Sequence, residues 1–345
     1  MTSFHSPADL VAAGLVSAEA LLALDAVAER YAVAITPEMA ALIDPADPAD
    51  PIRRQFVPDP AELQFSPQEL PDPIGDGANS PVEGIVHRYP DRVLLKLLHA
   101  CPVYCRFCFR RETVGPGGAG MLGGEALEKA LAYIRADASI WEVILTGGDP
   151  LALSPRRLGE AMAALAAIPH VKVVRLHSRV PGVDPSRITA QMIEALRLFP
   201  RAIYVALHAN HPRELTPAAR AACARLIDAG IVMVSQTVLL AGVNDDAEVL
   251  AKLMRAFVET RIKPYYLHHP DLAPGTAHLR VGIERGQELV RALLGRVSGL
   301  CQPAYVLDIP GGYGKSPIGP AYATRTATGW SVEDFRGGVH VYDAS

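Results

Sequence analysis

Apolar residues along this chain fall in two regimes. Over residues 7–30 Ala and Leu recur at helical intervals behind Ser and Asp caps, predicting one or two helices, and Ile35–Ile43 predicts another short one. From Asp44 to Asp76, Asp-Pro repeats and Pro-rich turns break any period. Residues before proline avoid the α region, so an extended arm wrapped on a surface is expected, a floppy linker being the alternative. From residue 92 strand-like apolar runs begin at Arg92, Glu142, Val171, Ala202, Ile231 and Lys263. Helical stretches at 123–137, 154–168, 186–199, 216–229, 245–260 and 284–298 follow them in turn, and a last apolar run spans Ala304–Ile309. From the second strand onward the repeat is about thirty residues, the length of a βαβ unit. It predicts an α/β fold: a partial TIM-type barrel of six βα units behind an N-terminal helical and extended extension. An open doubly wound sheet is the alternative. The expected division is 1–85 for the helical and Pro-rich wrapping segment, 86–320 for the barrel and 321–345 for a C-terminal tail.

Composition narrows the function classes. The chain has 345 residues, half of them hydrophobic, with a formal net charge of −4. There is no basic footprint, so nucleic acid is a poor partner. No apolar run reaches bilayer-spanning length, and Met1-Thr-Ser-Phe-His lacks the basic and apolar regions of a secretory signal. Five cysteines, three of them clustered, point to a reducing cytoplasm rather than a disulfide framework.

Those three, Cys101, Cys105 and Cys108, follow the first strand-like run in a Cys-x3-Cys-x2-Cys spacing. Cube clusters held wholly by protein use four thiolates, so a 4Fe–4S cube on this loop would keep one iron open to a small molecule. A zinc site or unrelated buried thiols are the alternatives. Structural zinc wants four closed ligands, and no fourth cysteine is placed to supply one.

Functional groups of barrel folds sit at the C-terminal ends of strands, and the polar residues here follow that rule. Thr146-Gly147-Gly148-Asp149 ends the second strand, His177-Ser-Arg179 the third and His208-Ala-Asn210 the fourth. Gln236 lies in or after the fifth, and His268-His269-Pro-Asp271 follows the sixth. Glycines at 147 and 148 let backbone approach a ligand; an ordinary turn with Asp149 capping the next helix is the competing reading. After the last run, Asp308 leads into Gly311-Gly312-Tyr313-Gly314-Lys315, where a lysine on a glycine-rich loop suits a Schiff-base cofactor or simply solvent. The four histidines of these strand ends could line a pocket or be satisfied structural groups.

Taken together, Arg88–Arg92, Cys101–Arg111, Leu145–Leu151, Gln236–Asn244, Pro264–Leu267 and Asp308–Lys315 resemble lysine 2,3-aminomutases, radical S-adenosylmethionine (SAM) enzymes that also use pyridoxal 5′-phosphate (PLP). The resemblance runs from roughly residue 40 to 320. It implies a 4Fe–4S cluster on Cys101, Cys105 and Cys108, with SAM on the open iron and near Gly147, Gly148, Asp149 and Gln236. It implies that Lys315 carries PLP, that Arg92 contacts its phosphate and that Arg110 binds the substrate carboxylate. Asp271 and Asp308 match the carboxylates that grip the ε-ammonium of L-lysine, which needs opposite charge once out of water. The implied reaction is isomerisation to β-lysine, in which a 5′-deoxyadenosyl radical takes hydrogen from C3 and the α-nitrogen migrates. A flavodoxin- or ferredoxin-type electron donor is implied as well.

The chain also departs from the clostridial members, whose C-terminal cysteines hold structural zinc: none follows Lys315. Zinc is not expected, and whether the chain forms a homo-oligomer stays open. Its Cys-Phe-Arg-Arg run resembles the branch that makes β-lysine for elongation factor P, while Gly-Gly-Tyr-Gly-Lys resembles the free-lysine enzymes. Two other classes remain as alternatives: a radical SAM enzyme without PLP, and a non-catalytic iron–sulfur or elongation-factor adaptor.

Overall fold

The computed structural model describes residues 3–114 and 120–343. Its centre is a nine-stranded sheet in sequence order. The strands are β1 (Ile85–Tyr89), β2 (Arg92–Leu98), β3 (Glu142–Gly147), β4 (Val173–Ser178), β5 (Ala202–His208), β6 (Val232–Val238), β7 (Lys263–His268), β8 (Ala304–Ile309) and β9 (Gly314–Pro317). Strands β2 to β8 run parallel, each joined to the next through a helix, so six βα units curl into a nearly closed partial TIM-type barrel.

The sheet edges add two strands. Before Arg92, β1 pairs antiparallel with β2 through a turn at Pro90 and Asp91. Lys315 is not on a loop as expected. It lies in β9, which folds back antiparallel on β8 so that Asp308 and Lys315 are cross-strand partners. The backbone N–H of Lys315 donates to the Tyr89 hydroxyl at 2.7 Å, bringing the two sheet edges together.

Burial alternates along the strands as a barrel requires. Val93, Leu95 and Leu97 of β2, with Val143, Leu145, Val174, Leu176 and Val205, pack outward against Leu131, Ile134, Leu158 and Met162 of the surrounding helices. Arg92, Leu94 and Lys96 of β2 and Arg175 and His177 of β4 occupy the opposite parity and stay half-buried. The interior is therefore polar and accessible, unlike the side-chain-filled core of a typical TIM barrel.

The N-terminal helices are Pro7–Ala12 and Leu21–Ala28; the third shrinks to Pro37–Ala40, capped by the Thr36 hydroxyl. The arm that follows is less extended than its prolines suggest, with a turn of helix at Arg53–Phe56 and a 3-10 turn at Pro60–Leu63. Ile52, Phe56 and Val57 bury against Val103 of the cysteine loop and Val183. Beyond the barrel, β10 (Ala323–Thr326), β11 (Gly329–Glu333) and β12 (Val339–Tyr342) form a separate antiparallel sheet. An Arg291–Glu333 ion pair and the Phe335 ring over Gly295 fasten it to the barrel. No helix among the described residues is long and apolar enough to cross a membrane.

Candidate functional site

The cysteine loop leaves β2 at the C-terminal mouth of the barrel and is gripped from below. Arg106 and Arg111, both buried, converge on the buried Glu62 of the arm, with Arg106 Nε donating to it at 2.8 Å. The Arg106 backbone N–H also donates to the Gln55 carbonyl at 2.9 Å. Cys101, Cys105 and Cys108 are free thiols, each half-buried. Burial raises all three pKa values, Cys108 to about 11, and the neighbouring thiols raise Cys101 and Cys108 further. Three thiols that resist charging together are a donor set that cationic iron would complete. Among the described residues no three His, Cys, Asp or Glu side chains converge on a single-ion position; the corners of a cube stand further apart.

The end of β3 is pressed against this loop. Gly147 has a φ of +104°, and a Cβ on Gly148 would lie 2.2 Å from the Ala100 carbonyl oxygen. Gly147 thus lies close against the end of β2 and Gly148 against the backbone that enters the cysteine loop. Asp149 has a structural task too. Its carboxylate accepts from the Leu151 and Arg179 N–H groups at 3.0 and 2.7 Å, from the Ser178 hydroxyl at 2.8 Å and from the Val180 N–H at 3.2 Å. It caps the following turn and ties the ends of β3 and β4 together, which leaves its oxygens fully occupied. Gln236 faces His177 across the interior at 3.5 Å. Nearby, His208 packs edgewise on Phe107, and its buried Nε2 has no hydrogen-bond partner among the described residues.

A second cluster of charge lies below the mouth. Lys315 Nζ is 2.7 and 2.8 Å from the two Asp308 oxygens, and His268 Nδ1 is 3.7 Å from the same carboxylate. Burial alone would raise the Asp308 pKa, but the neighbouring His268 ring and the Lys315 charge hold it well below the usual carboxylate range. Asp271 contrasts with it. It makes no hydrogen bond or ion pair among the described residues, and burial, then the Asp308 charge, push its pKa up to about 7. Arg110 points at this space from the cysteine loop: its charge and that of Lys315 bear on both Asp271 and His177. The Arg110 fork is held by Asp76, at 2.9 Å from Nε and 2.8 Å from Nη2, with Thr146 3.4 Å from Nη1. Arg92 is one ring away from Lys315, its guanidinium 3.8 Å from the centroid of the Tyr89 ring whose hydroxyl receives the Lys315 N–H.

The arrangement gathers Cys101, Cys105, Cys108, Gly147, Gly148, Gln236, Arg110, Asp271, Asp308 and Lys315 around one mouth and interior, with Arg92 at the edge and Asp149 as a brace. Sequence reasoning gave no role to Asp76, Tyr89 and Arg179. Asp76 lies 34 positions from Arg110 in the Pro-rich arm, where nothing local marks it. Arg179 stood in the right place, at a strand end, without any sign of its partner.

Residues 95–254 match the model of the Radical SAM superfamily. Over 290 residues the chain is 42% identical to the L-lysine 2,3-aminomutase of Clostridium subterminale, covering 84% of this chain and 69% of that one. Over 312 residues it is 40% identical to the L-lysine 2,3-aminomutase of Acetoanaerobium sticklandii, covering 90% and 75%. It is also 35% identical over 302 residues to the glutamate 2,3-aminomutase of Clostridioides difficile, covering 88% and 71%.

Proposed function

The chain belongs to the lysine 2,3-aminomutase family of radical SAM enzymes, and from that premise we propose that it converts L-lysine to β-lysine with PLP as a further cofactor. As a member of the family it is an aminomutase, an isomerase that works with a 4Fe–4S cluster and SAM. The observation that carries the choice of lysine is the pair Asp271 and Asp308, two carboxylates in the interior space toward which Arg110 also points. A substrate carrying both a carboxylate and a distal ammonium matches that set of charges. Glutamate would set a second anion against two.

Each residue has a part in this reading. Cys101, Cys105 and Cys108 hold the cluster; Gly147, Gly148 and Gln236 line the SAM site, and Asp149 keeps the β3 and β4 ends in register beside it. Lys315 carries PLP and Arg92 offers its charge to the phosphate. Arg110, its Nε–Nη2 edge held by Asp76, offers its charge and remaining N–H groups to the α-carboxylate. Asp308 and Asp271 hold the ε-ammonium and so fix which carbon lies at the reacting position. The bound groups supply a 5′-deoxyadenosyl radical for hydrogen abstraction at C3 and a conjugated ring that lets nitrogen migrate. Substrate and cofactors filling the barrel interior would displace water from that chemistry. A flavodoxin- or ferredoxin-type protein is the proposed electron donor.

The test is an anaerobic assay of reconstituted protein with PLP, SAM, dithionite and L-lysine, read by mass spectrometry and chromatography against β-lysine. Formation of β-lysine is expected. Turnover of L-glutamate or another amino acid, with none of lysine, would overturn the substrate and leave the family intact.

A further inference from the structure

Outside the residues that face substrate, one buried cation among the described residues donates to a cysteine sulfur of the cluster loop. Arg179, at the end of β4, is 5% exposed, and its Nη1 donates to Cys105 Sγ at 3.1 Å. We propose that Arg179 is a positioning residue for the Cys105 corner of the cluster and sets how readily the cluster takes up an electron.

Four elements fix the guanidinium in place. Its backbone N–H is on Asp149 at 2.7 Å. Its Nη2 donates to Gln55 Oε1 at 3.2 Å and to Glu214. Glu214 is 1% exposed and also accepts from the backbone N–H groups of Asn210 and His211 at 2.8 and 2.9 Å, and from Gln55 Nε2 at 3.2 Å. Gln55 Oε1 accepts in addition from Asn210 Nδ2 at 3.0 Å. The rings of Phe56 and Phe107 flank the guanidinium at 4.8 and 5.5 Å. A group so restrained is held with its N–H toward the sulfur.

The direction of the effect follows from charge. Reduction adds an electron to the cluster, and a hydrogen bond from a cation to a ligating sulfur is stronger to the more negative state. Arg179 therefore favours the reduced form and raises the midpoint potential. Glu214 offsets the net charge of the pair, but it lies behind the guanidinium, whose N–H still points at Cys105. A purely structural ion pair would not need an N–H aimed at the sulfur.

This inference rests on the radical SAM assignment and not on the choice of amino acid or on PLP. The experiment is a redox titration of the anaerobically reconstituted cluster, followed by electron paramagnetic resonance, in the wild type, Arg179→Lys and the double variant Arg179→Met/Glu214→Gln. The double variant removes both charges, so no buried acid is left without its partner. At a fixed ambient potential the reduced-to-oxidised ratio should fall about tenfold in the double variant, a shift of ~59 mV for one electron. Arg179→Lys keeps the charge but loses the fork, and should shift the same way by less. Equal midpoints in all cluster-loaded proteins would overturn the proposal and leave Arg179 as a structural brace. Should the double variant fail to load iron, Arg179→Lys decides, and an unshifted midpoint there overturns it as well. A wild type that takes up no cluster would instead sink the radical SAM reading.

Discussion

Lys315 Nζ sits between the two oxygens of Asp308, at 2.7 and 2.8 Å, so the amine proposed to carry the cofactor is held by a carboxylate proposed to read the substrate. Without the cofactor, the protein's own ammonium occupies the place of the substrate's. Cofactor-free wild type should therefore bind L-lysine poorly. Lys315→Met should bind it at least about tenfold more tightly, the scale of exchanging one charge partner for another. Titration calorimetry on cofactor-free protein measures this, and equal affinities would separate the two roles.

Asp271 sets a pH dependence. Its pKa is raised to about 7, so in the ligand-free site the carboxyl is largely protonated below that pH and charged above it. Only the charged form attracts an ammonium. Affinity for lysine should rise with pH through about 7 and fall by up to tenfold per unit below it. Asp271→Asn should flatten that limb and lower kcat/KM; a profile unchanged by the substitution would remove Asp271 from substrate binding.

Asp308→Asn leaves the ammonium of lysine facing one carboxylate. A loss of roughly 2–5 kcal/mol in transition-state stabilisation is expected, the cost of orphaning a buried charge partner. Steady-state kinetics report it as a fall in kcat/KM.

Cys105→Ala should abolish the brown absorbance and lower the iron content of the reconstituted protein, since a cube on two cysteines loses a corner. Gly148→Ala should do the same by another route. Its Cβ would meet the Ala100 carbonyl oxygen at 2.2 Å, forcing the cysteine loop to shift at a cost of about 1–3 kcal/mol. Thermal unfolding and iron analysis distinguish a displaced loop from a lost ligand, because only Gly148→Ala should lower the midpoint of the metal-free protein.

Glu62→Gln is expected to destabilise the fold by about 3–5 kcal/mol. It leaves two buried guanidiniums, Arg106 and Arg111, without their anion. Urea unfolding of the metal-free protein measures it.

The strands and helices from Arg92 to Ile309 were legible because each strand buries one face against a helix, and that burial writes an apolar run of the right length. The segments that escaped lack it. In β9 only Gly314 is buried, and the strand opens on the last of three glycines in four positions, so it reads as loop. The strands of the C-terminal sheet are four or five residues long and largely exposed, with no buried face to give a period. Asp149 shows a different limit. An acid at a strand end serves a cap or a ligand equally well, and only the four donors around it decide. For Asp76 and Arg110 the partnership exists only in space.

The arm reaches its partners across long spans of chain: Thr36 to Val183, Gln55 to Glu214, Asp50 to Arg213. Although it is made first by the ribosome, it cannot settle until β4 and β5 exist to receive it, since such distant closures come late. The cysteine loop leans on that same arm. Iron is then the last component to be installed, delivered to a chain that has already chosen its shape, and any fragment released before β5 would display its thiols with nothing to hold them in order.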